Sequence, residues 1–515
     1  MKKLSLILSM VLLLPIIACN EEDLDLVNPN ELSAETFYST EAQAVTAVNA
    51  IYANLQSGGL WRREYFFTHD LLSDEVFGLG SLEGQRVALW NRSFDATNSL
   101  VGAFWNDAYR GIQRANLVLD NVGNTEREIA GLSDALRNRL LAEARFLRAL
   151  MYFELVSMWG DVPLYTSVST VVEGIPRSPA ADVYQVIIDD LDFAQSNLPD
   201  NYSADDAGRA TKGAAYALEG RVWLFRAGAE NNAEFYNNAK SAYQDFENNT
   251  SGYALVDTYL DNFLEETEHN IESIFEVNFT LAFGGGNRWS GDGNGINEVT
   301  FRGQEYGMRA WRNVVPSEAL LGAFEDDDVR FGASFYSPCD LYNNDTDTVY
   351  TPNDCPAPAG ASNTTPDDLP SWKKYQNYYK LEQEVNQQSG INFRVIRYAE
   401  ILLSHAEAIA ETEGVTADAV DKVNQIRTRA GLSEFTVGDF GSADDFIDAI
   451  MQERRVEFAG EQIRYRDLLR RDLLQETVGA VHPQLSLPKH ALLPVPQGEI
   501  DNNINISEAD QNSGY

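Results

Sequence analysis

Residues 136–163, LRNRLLAEARFLRALMYFELVSMWGDVP, constrain the fold more than any other stretch. Leu136, Leu140, Ala144, Leu147, Met151, Leu155 and Met158 recur at steps of three and four, the period of one helix face. Phe146, Leu150 and Phe153 add a second apolar stripe beside the first. A helix that is apolar on more than one side is packed between neighbours, so this chain needs other helices around it. Gly160 suits a left-handed stop, and Pro163 prevents resumption. Arg137, Arg139, Glu143, Arg145 and Arg148 read as a solvated polar face with a few intrahelical pairs.

The apolar content of 44% is ample for a core, but a net charge of −39 narrows the partners. Such a chain repels nucleic acid phosphates and anionic lipid surfaces, leaving neutral or cationic ligands as the compatible ones. Residues 1–18 read as a secretion signal: Lys2 and Lys3 are the basic start and Leu4 to Ile17 the apolar core, which is too short to span a membrane. Ile16-Ile17-Ala18-Cys19 looks like a bacterial lipobox, with Cys19 as the lipidated first residue of the mature chain. Residues 19–35 then form a polar tether, and 36–515 the body. Cys339 and Cys355 are the remaining cysteines; in an exported protein such a pair reads as a disulfide, worth roughly 3 kcal/mol in the chain-entropy picture.

Thr40 caps a first helix running to about Gln56, and Ala103–Val122 reads as a second. Residues 60–100 read as irregular and rich in Trp, Phe, Asn and Gly. Pro179–Leu198 is a helix capped by Ser178. Residues 209–227 and 234–248 pair as alanine-rich helices, as do 397–411 and 417–430, and such pairs stack because none buries its face alone. Ser273–Thr280 alternates as a short strand, Pro316–Arg330 is a short helix running into an acidic turn, and Ala443–Leu469 reads as one last long helix.

Five pieces, in order along the chain, resemble one family: the lipobox; AEARFLRALMYFELVSMWGDVPL; RYAEILLSHAEA; QERRVEFAGEQIRYRDLLR; and LLPVPQGEI with the final QNSGY. Together they resemble the SusD/RagB-like outer-membrane lipoproteins of Bacteroidota. That resemblance implies a mostly α fold with four tetratricopeptide-like helix pairs and a loop-rich, partly β insertion packed on them. The repeat scaffold is expected at about 40–250 and 395–475, the ligand region at about 255–390, and a C-terminal segment at 476–515. It also implies a cell-surface, lipid-anchored protein that captures oligosaccharide and acts as the lid of a SusC-like TonB-dependent transporter. The acidic run Asn20–Asp23 is similar to the export tags of such lipoproteins.

Catalytic motifs are absent: there is no HExxH, GxSxG, Walker loop or paired CxxC, and the five histidines lack metal spacing. His405 reads as a packing residue. A binding protein rather than an enzyme is expected, without cofactor. A secreted glycoside hydrolase is the alternative from another class, and a peptide-binding RagB-like member of the same transport system the third reading. Sugars present a flat C–H patch to an aromatic face and hydroxyls to planar polar groups, so tryptophans flanked by Asn or Arg in irregular segments are the candidates. Trp90 with Asn91 and Trp289 with its preceding Asn287-Arg288 fit best, Tyr306 and Trp311 come next, and Trp61 is a further candidate with Arg62 and Asp70 as polar neighbours. The family's aromatic arc falls by position on the same segments, 60–100 and 283–313. The alternative for each tryptophan is a hydrophobic peg fastening its loop. Asp340, Asp345 and Asp347 offer hard oxygens for a structural Ca²⁺, though a solvated acidic loop is the favoured reading of that run.

Overall fold

Thr40 opens the first helix with a reciprocal cap: its side chain accepts from the Gln43 N–H, and the Gln43 side chain accepts from the Thr40 N–H. In the computed structural model, which describes residues 37–169, 173–282, 298–307, 311–336, 370–376 and 389–515, eight helices form the scaffold. They are α1 (Glu41–Leu55), α2 (Ser99–Val122), α3 (Asp134–Trp159), α4 (Ala180–Asn197), α5 (Lys212–Ala229), α6 (Ala233–Asn249), α7 (Tyr398–Glu413) and α8 (Ala417–Arg429). They pair as α1/α2, α3/α4, α5/α6 and α7/α8. Successive pairs stack through α2 on α3, α4 on α5 and α6 on α7. These are the four expected helix pairs, each covering the apolar face of the next.

The central α3 is buried almost continuously from Leu140 to Trp159. Its charged residues correct the sequence reading. Arg148 is buried and donates to both Asp190 carboxylate oxygens at 2.8 Å and to Asn116 Oδ1 at 2.6 Å. Glu143 is buried and accepts from Arg209 at 2.9 Å. At Glu143 and Arg148 the face is interhelical rather than solvated, because α4 and the segment leading into α5 close over it, while Arg139 keeps the expected intrahelical pair with Glu143 at 3.3 Å and stays partly exposed. The helix at 180–197 also differs: Pro179, not Ser178, takes the N-cap position, without a side-chain cap bond.

Short antiparallel pairs fasten the rest. Among the described residues β1 (Val76–Gly78) pairs with β5 (Val314–Pro316), β2 (Val162–Pro163) with β3 (Arg177–Ser178), β4 (Ser273–Val277) with β8 (Phe393–Arg397), and β6 (Phe335–Tyr336) with β7 (Ser371–Trp372). Residues 60–100 are more ordered than expected, with helices Glu64–Leu72 and Gly84–Trp90 flanking β1. The expected helix at 443–469 is two, α9 (Ala443–Glu457) and α10 (Arg464–Arg470). Between them Gly460 (φ +70°) and Gln462 (φ +62°) take left-handed conformations, and a Cβ on Gly460 would lie 2.5 Å from the Trp372 ring. The break turns Glu461 onto Arg397 and Lys374, buried partners that an unbroken helix would carry elsewhere. Residues 316–330 likewise hold only a helix at Glu318–Leu321 and the start of another at Val329–Ser334.

His405 packs in the core, as its apolar setting suggested, and its Nδ1 donates to the Glu247 carboxylate at 3.0 Å. No helix among the described residues is long and apolar enough to cross a membrane. Cys19, Cys339, Cys355, Asp340, Asp345, Asp347 and Trp289 lie outside the described residues.

Candidate functional site

The β1–β5 ribbon carries the exposed aromatics. Val76 and Gly78 flank Phe77, which pairs with Val315 and turns its ring outward, 46% exposed. The helix Gly84–Trp90 returns Trp90 to the ribbon. Its indole meets the Phe77 ring edge-on at 5.4 Å and the His482 ring edge-on at 5.0 Å. Gly78 lies beneath the indole, where a Cβ would come within 3.0 Å of Leu82 and 3.2 Å of Trp90, so a larger residue there would press on both side chains. Beyond β5, Leu79 donates to the Asn313 carbonyl at 2.9 Å and the Ser81 hydroxyl to the Arg312 carbonyl at 3.2 Å. That pairing holds Trp311, 45% exposed, beside the turn that follows β1. Asn91, half-exposed, caps the C-terminal end of the helix that carries Trp90. Burial and the nearby Arg92 guanidinium push the His482 imidazole down to about 4, so the rings form an uncharged surface at neutral pH.

The structure therefore brings Trp90, Asn91 and Trp311 onto one ribbon and its flanking helix. Trp90 is half-buried, with its indole N–H buried and unpartnered, so it combines a fastening role with a partly presented face. The other described candidates lie inside. Trp61 is 1% exposed and stacks on Tyr65 at 4.9 Å. Arg62 is 3% exposed, donates to the Val299 carbonyl at 3.3 Å and lies over the Phe301 ring. Asp70 and Tyr306 are buried together, the Tyr306 hydroxyl donating to Asp70 at 2.8 Å.

Asp70 and Tyr306 belong to a buried hydrogen-bonded network beside the ribbon. Gln462 donates to both Asp70 oxygens at 2.8 and 2.9 Å, while Arg302 donates to Gln462 Oε1 at 3.0 Å and to the Gly460 carbonyl at 2.7 Å. Burial raises the Asp70 carboxyl above its ordinary range despite Arg302, Gln462 and Tyr306. Burial, and then Asp70, push the Tyr306 phenol well above its ordinary range. Beside them Glu75 accepts from the Gly460 N–H at 3.2 Å, and burial with Asp74 and Asp70 raises its carboxyl to about 8.

Phe77 is the residue that sequence reasoning missed. The only available signal was the alternation of Val76, Phe77 and Gly78, too short to separate a strand's outward face from a loop. The described residues contain no group of His, Cys, Asp and Glu able to hold a metal ion. What the ribbon and its flanking helix offer is flat apolar surface with an amide at the helix end, a combination suited to binding a ring that carries hydroxyls.

Two family models match the chain: one described as "SusD family" over residues 271–515, and one described as "Starch-binding associating with outer membrane" over residues 23–224. A SusD-like protein P2 of Formosa agariphila is 28% identical over 540 aligned positions, covering 98% of each chain. A solved laminarin-binding SusD-like protein is 27% identical with a TM-score of 0.76, covering 93% of this chain and 100% of its own. The surface glycan-binding protein A of Bacteroides thetaiotaomicron, solved with laminarihexaose, matches with a TM-score of 0.71 at 22% identity, over 91% of this chain and 98% of its own. That last likeness bears on the fold alone. SusD-family proteins are binding proteins rather than enzymes, associated with the outer membrane. From Asp23 to Tyr515, with its stacked helix pairs and the chain order of its signature segments, this chain belongs to the SusD/RagB family.

Proposed function

We propose that the protein captures neutral oligosaccharide at the cell surface and delivers it to a SusC-like TonB-dependent transporter, over which it closes as a lid. The observation that carries this reading is the aromatic ribbon, where Phe77 and Trp311 are exposed and Trp90 is held at the same ribbon by Gly78 and His482. Exposed rings of this size are costly to leave in water, and a sugar's C–H face removes them from it. The laminarin-binding relative supplies the first glycan to try, a β-glucan. Cys19 would carry the lipid that keeps the body within reach of the pore.

Affinity electrophoresis through gels containing laminarin, starch, levan or mucin tests the reading. Retardation by at least one polysaccharide, abolished in Phe77→Ala/Trp311→Ala, is the expected result. Equal mobility in every gel, or retardation untouched by the double substitution, overturns it. The transporter role is tested by co-purifying the lipidated protein from its own cells with any TonB-dependent barrel, where absence of a complex rejects that part alone.

A further inference from the structure

A separate cavity of about 270 Å³ opens between α2, residues 163–169 and the C-terminal helix Gln497–Asn502. It lies roughly 20 Å along α2 from the Asn98 cap, the end of α2 nearest the Trp90 helix. Ile112 and Pro163 make an apolar floor. Tyr109 and Tyr165 stand at 90° with ring centroids 6.1 Å apart, forming an aromatic corner. Gln113 and Ser167 are exposed on the rim, and Glu499 closes one side.

The wall is held rigidly from beneath. The Tyr109 hydroxyl donates to the Pro163 carbonyl at 2.8 Å. The buried Asn116 amide donates to the Tyr165 and Ser167 carbonyls at 2.9 and 3.2 Å. Arg148, locked on Asp190, donates to Asn116 and to the Thr166 carbonyl at 2.8 Å. The Tyr152 hydroxyl accepts from the Tyr165 N–H at 2.7 Å. A buried ion pair in the core thus fixes a surface loop, which is what preorganising a binding site requires.

We propose that this cavity is a second carbohydrate site, seating one neutral sugar ring. The tyrosine corner suits a C–H face, and the Gln113 amide and Ser167 hydroxyl suit ring hydroxyls. Neither Lys nor Arg is among the described lining residues, whereas a carboxylate is, so uronic or sulfated rings are disfavoured. The Glu499 carboxylate already accepts from Trp105 at 3.3 Å and Asn503 at 2.7 Å, which makes it a poor lone partner for an ammonium group. For its ligand class the proposal rests on the glycan-binding reading above. Two sites on one chain would raise the apparent affinity for long glycans well beyond that for short ones.

Saturation-transfer NMR on the purified chain tests it, with D-glucose, D-galactose and D-mannose as neutral probes and D-glucuronate as the anionic one. Transfer to at least one hexose is expected, retained within twofold in Phe77→Ala/Trp311→Ala and reduced at least fivefold in both Tyr165→Ala and Gln113→Ala. Gln113 is exposed, so its substitution leaves the fold intact even where the loss of the Tyr165 ring disturbs the loop. Absence of transfer to any hexose, a signal insensitive to the cavity variants, or glucuronate transfer equal to that of the hexoses overturns the proposal. A chain retarded by a polysaccharide gel but giving no hexose signal rejects the second site only; failure in both assays rejects the glycan reading as well.

Discussion

Glu75 illustrates how a single buried acid shapes the molecule's response to pH. Its carboxyl is raised to about 8 in the fold and titrates near 4.5 when unfolded. The folded state therefore holds a proton that the unfolded state releases, and stability falls as pH climbs from about 5 to 8. Glu75→Gln removes that dependence and is expected to stabilise the protein by on the order of 3 kcal/mol at pH 8, with little gain at pH 5. Urea midpoints of both proteins at pH 5 and 8 check this; parallel pH trends would refute it. Tyr306→Phe acts on the neighbouring contact. It leaves Asp70 short of a donor and is expected to cost about 1–3 kcal/mol while leaving the exposed rings of the ribbon in place. Calorimetry paired with gel retardation separates the two effects.

At the scale of elements, the α3–α4 seam shows why a charged helix face reads ambiguously in sequence. Arg148→Ala leaves the buried Asp190 with Arg145 as its one remaining arginine and is expected to cost about 3 kcal/mol, whereas Arg148→Met with Asp190→Leu recovers part of it. Equilibrium denaturation of the three variants decides the matter, and an Arg148→Ala cost below 1 kcal/mol would contradict the assignment. Gly78→Ala puts a methyl group 3.2 Å from the Trp90 indole and is expected to weaken glycan retardation more than it lowers the melting temperature. The helices themselves were legible. Apolar steps of three and four, a Thr cap before Glu41 and glycines after α3 and α8 place the scaffold within a few residues. The break between α9 and α10 was not, because Glu461 and Gln462 are good helix formers and only buried partners distant in sequence pull them out of register.

For the whole molecule, acids held down by arginine dominate the acid limb. Burial would raise the Asp467 carboxyl, but Arg454 and Arg470 outweigh it and hold it at about 2. Its contribution, about 2 kcal/mol, is complete above pH 4 and is lost as pH falls through 2, and Glu407 and Glu461 add in the same direction. His482 and His490, both held near 4 in the fold, add stability as pH rises from about 4 to 6.5, while Glu75 removes it from about 5 to 8, so the steepest loss is expected below pH 4; a denaturation series showing no loss between pH 4 and 2 would contradict this assignment of charges. Fold class was readable because periodicity is a local signal, repeated along the chain. The site was readable only in part. Loop tryptophans announce themselves, but whether Phe77 points out is decided by strand pairing with Val315, more than 200 positions away. The buried network beside the ribbon joins Asp70 to Gln462, 392 residues apart. Closing so long a loop is slow, and it waits for nearly the entire chain to emerge. A polypeptide truncated in α9 would keep most of its helix pairs and still lack this network. The network is therefore completed only after the segment that carries Gln462 has been made, although the ribbon's own strands lie in the first two thirds of the sequence.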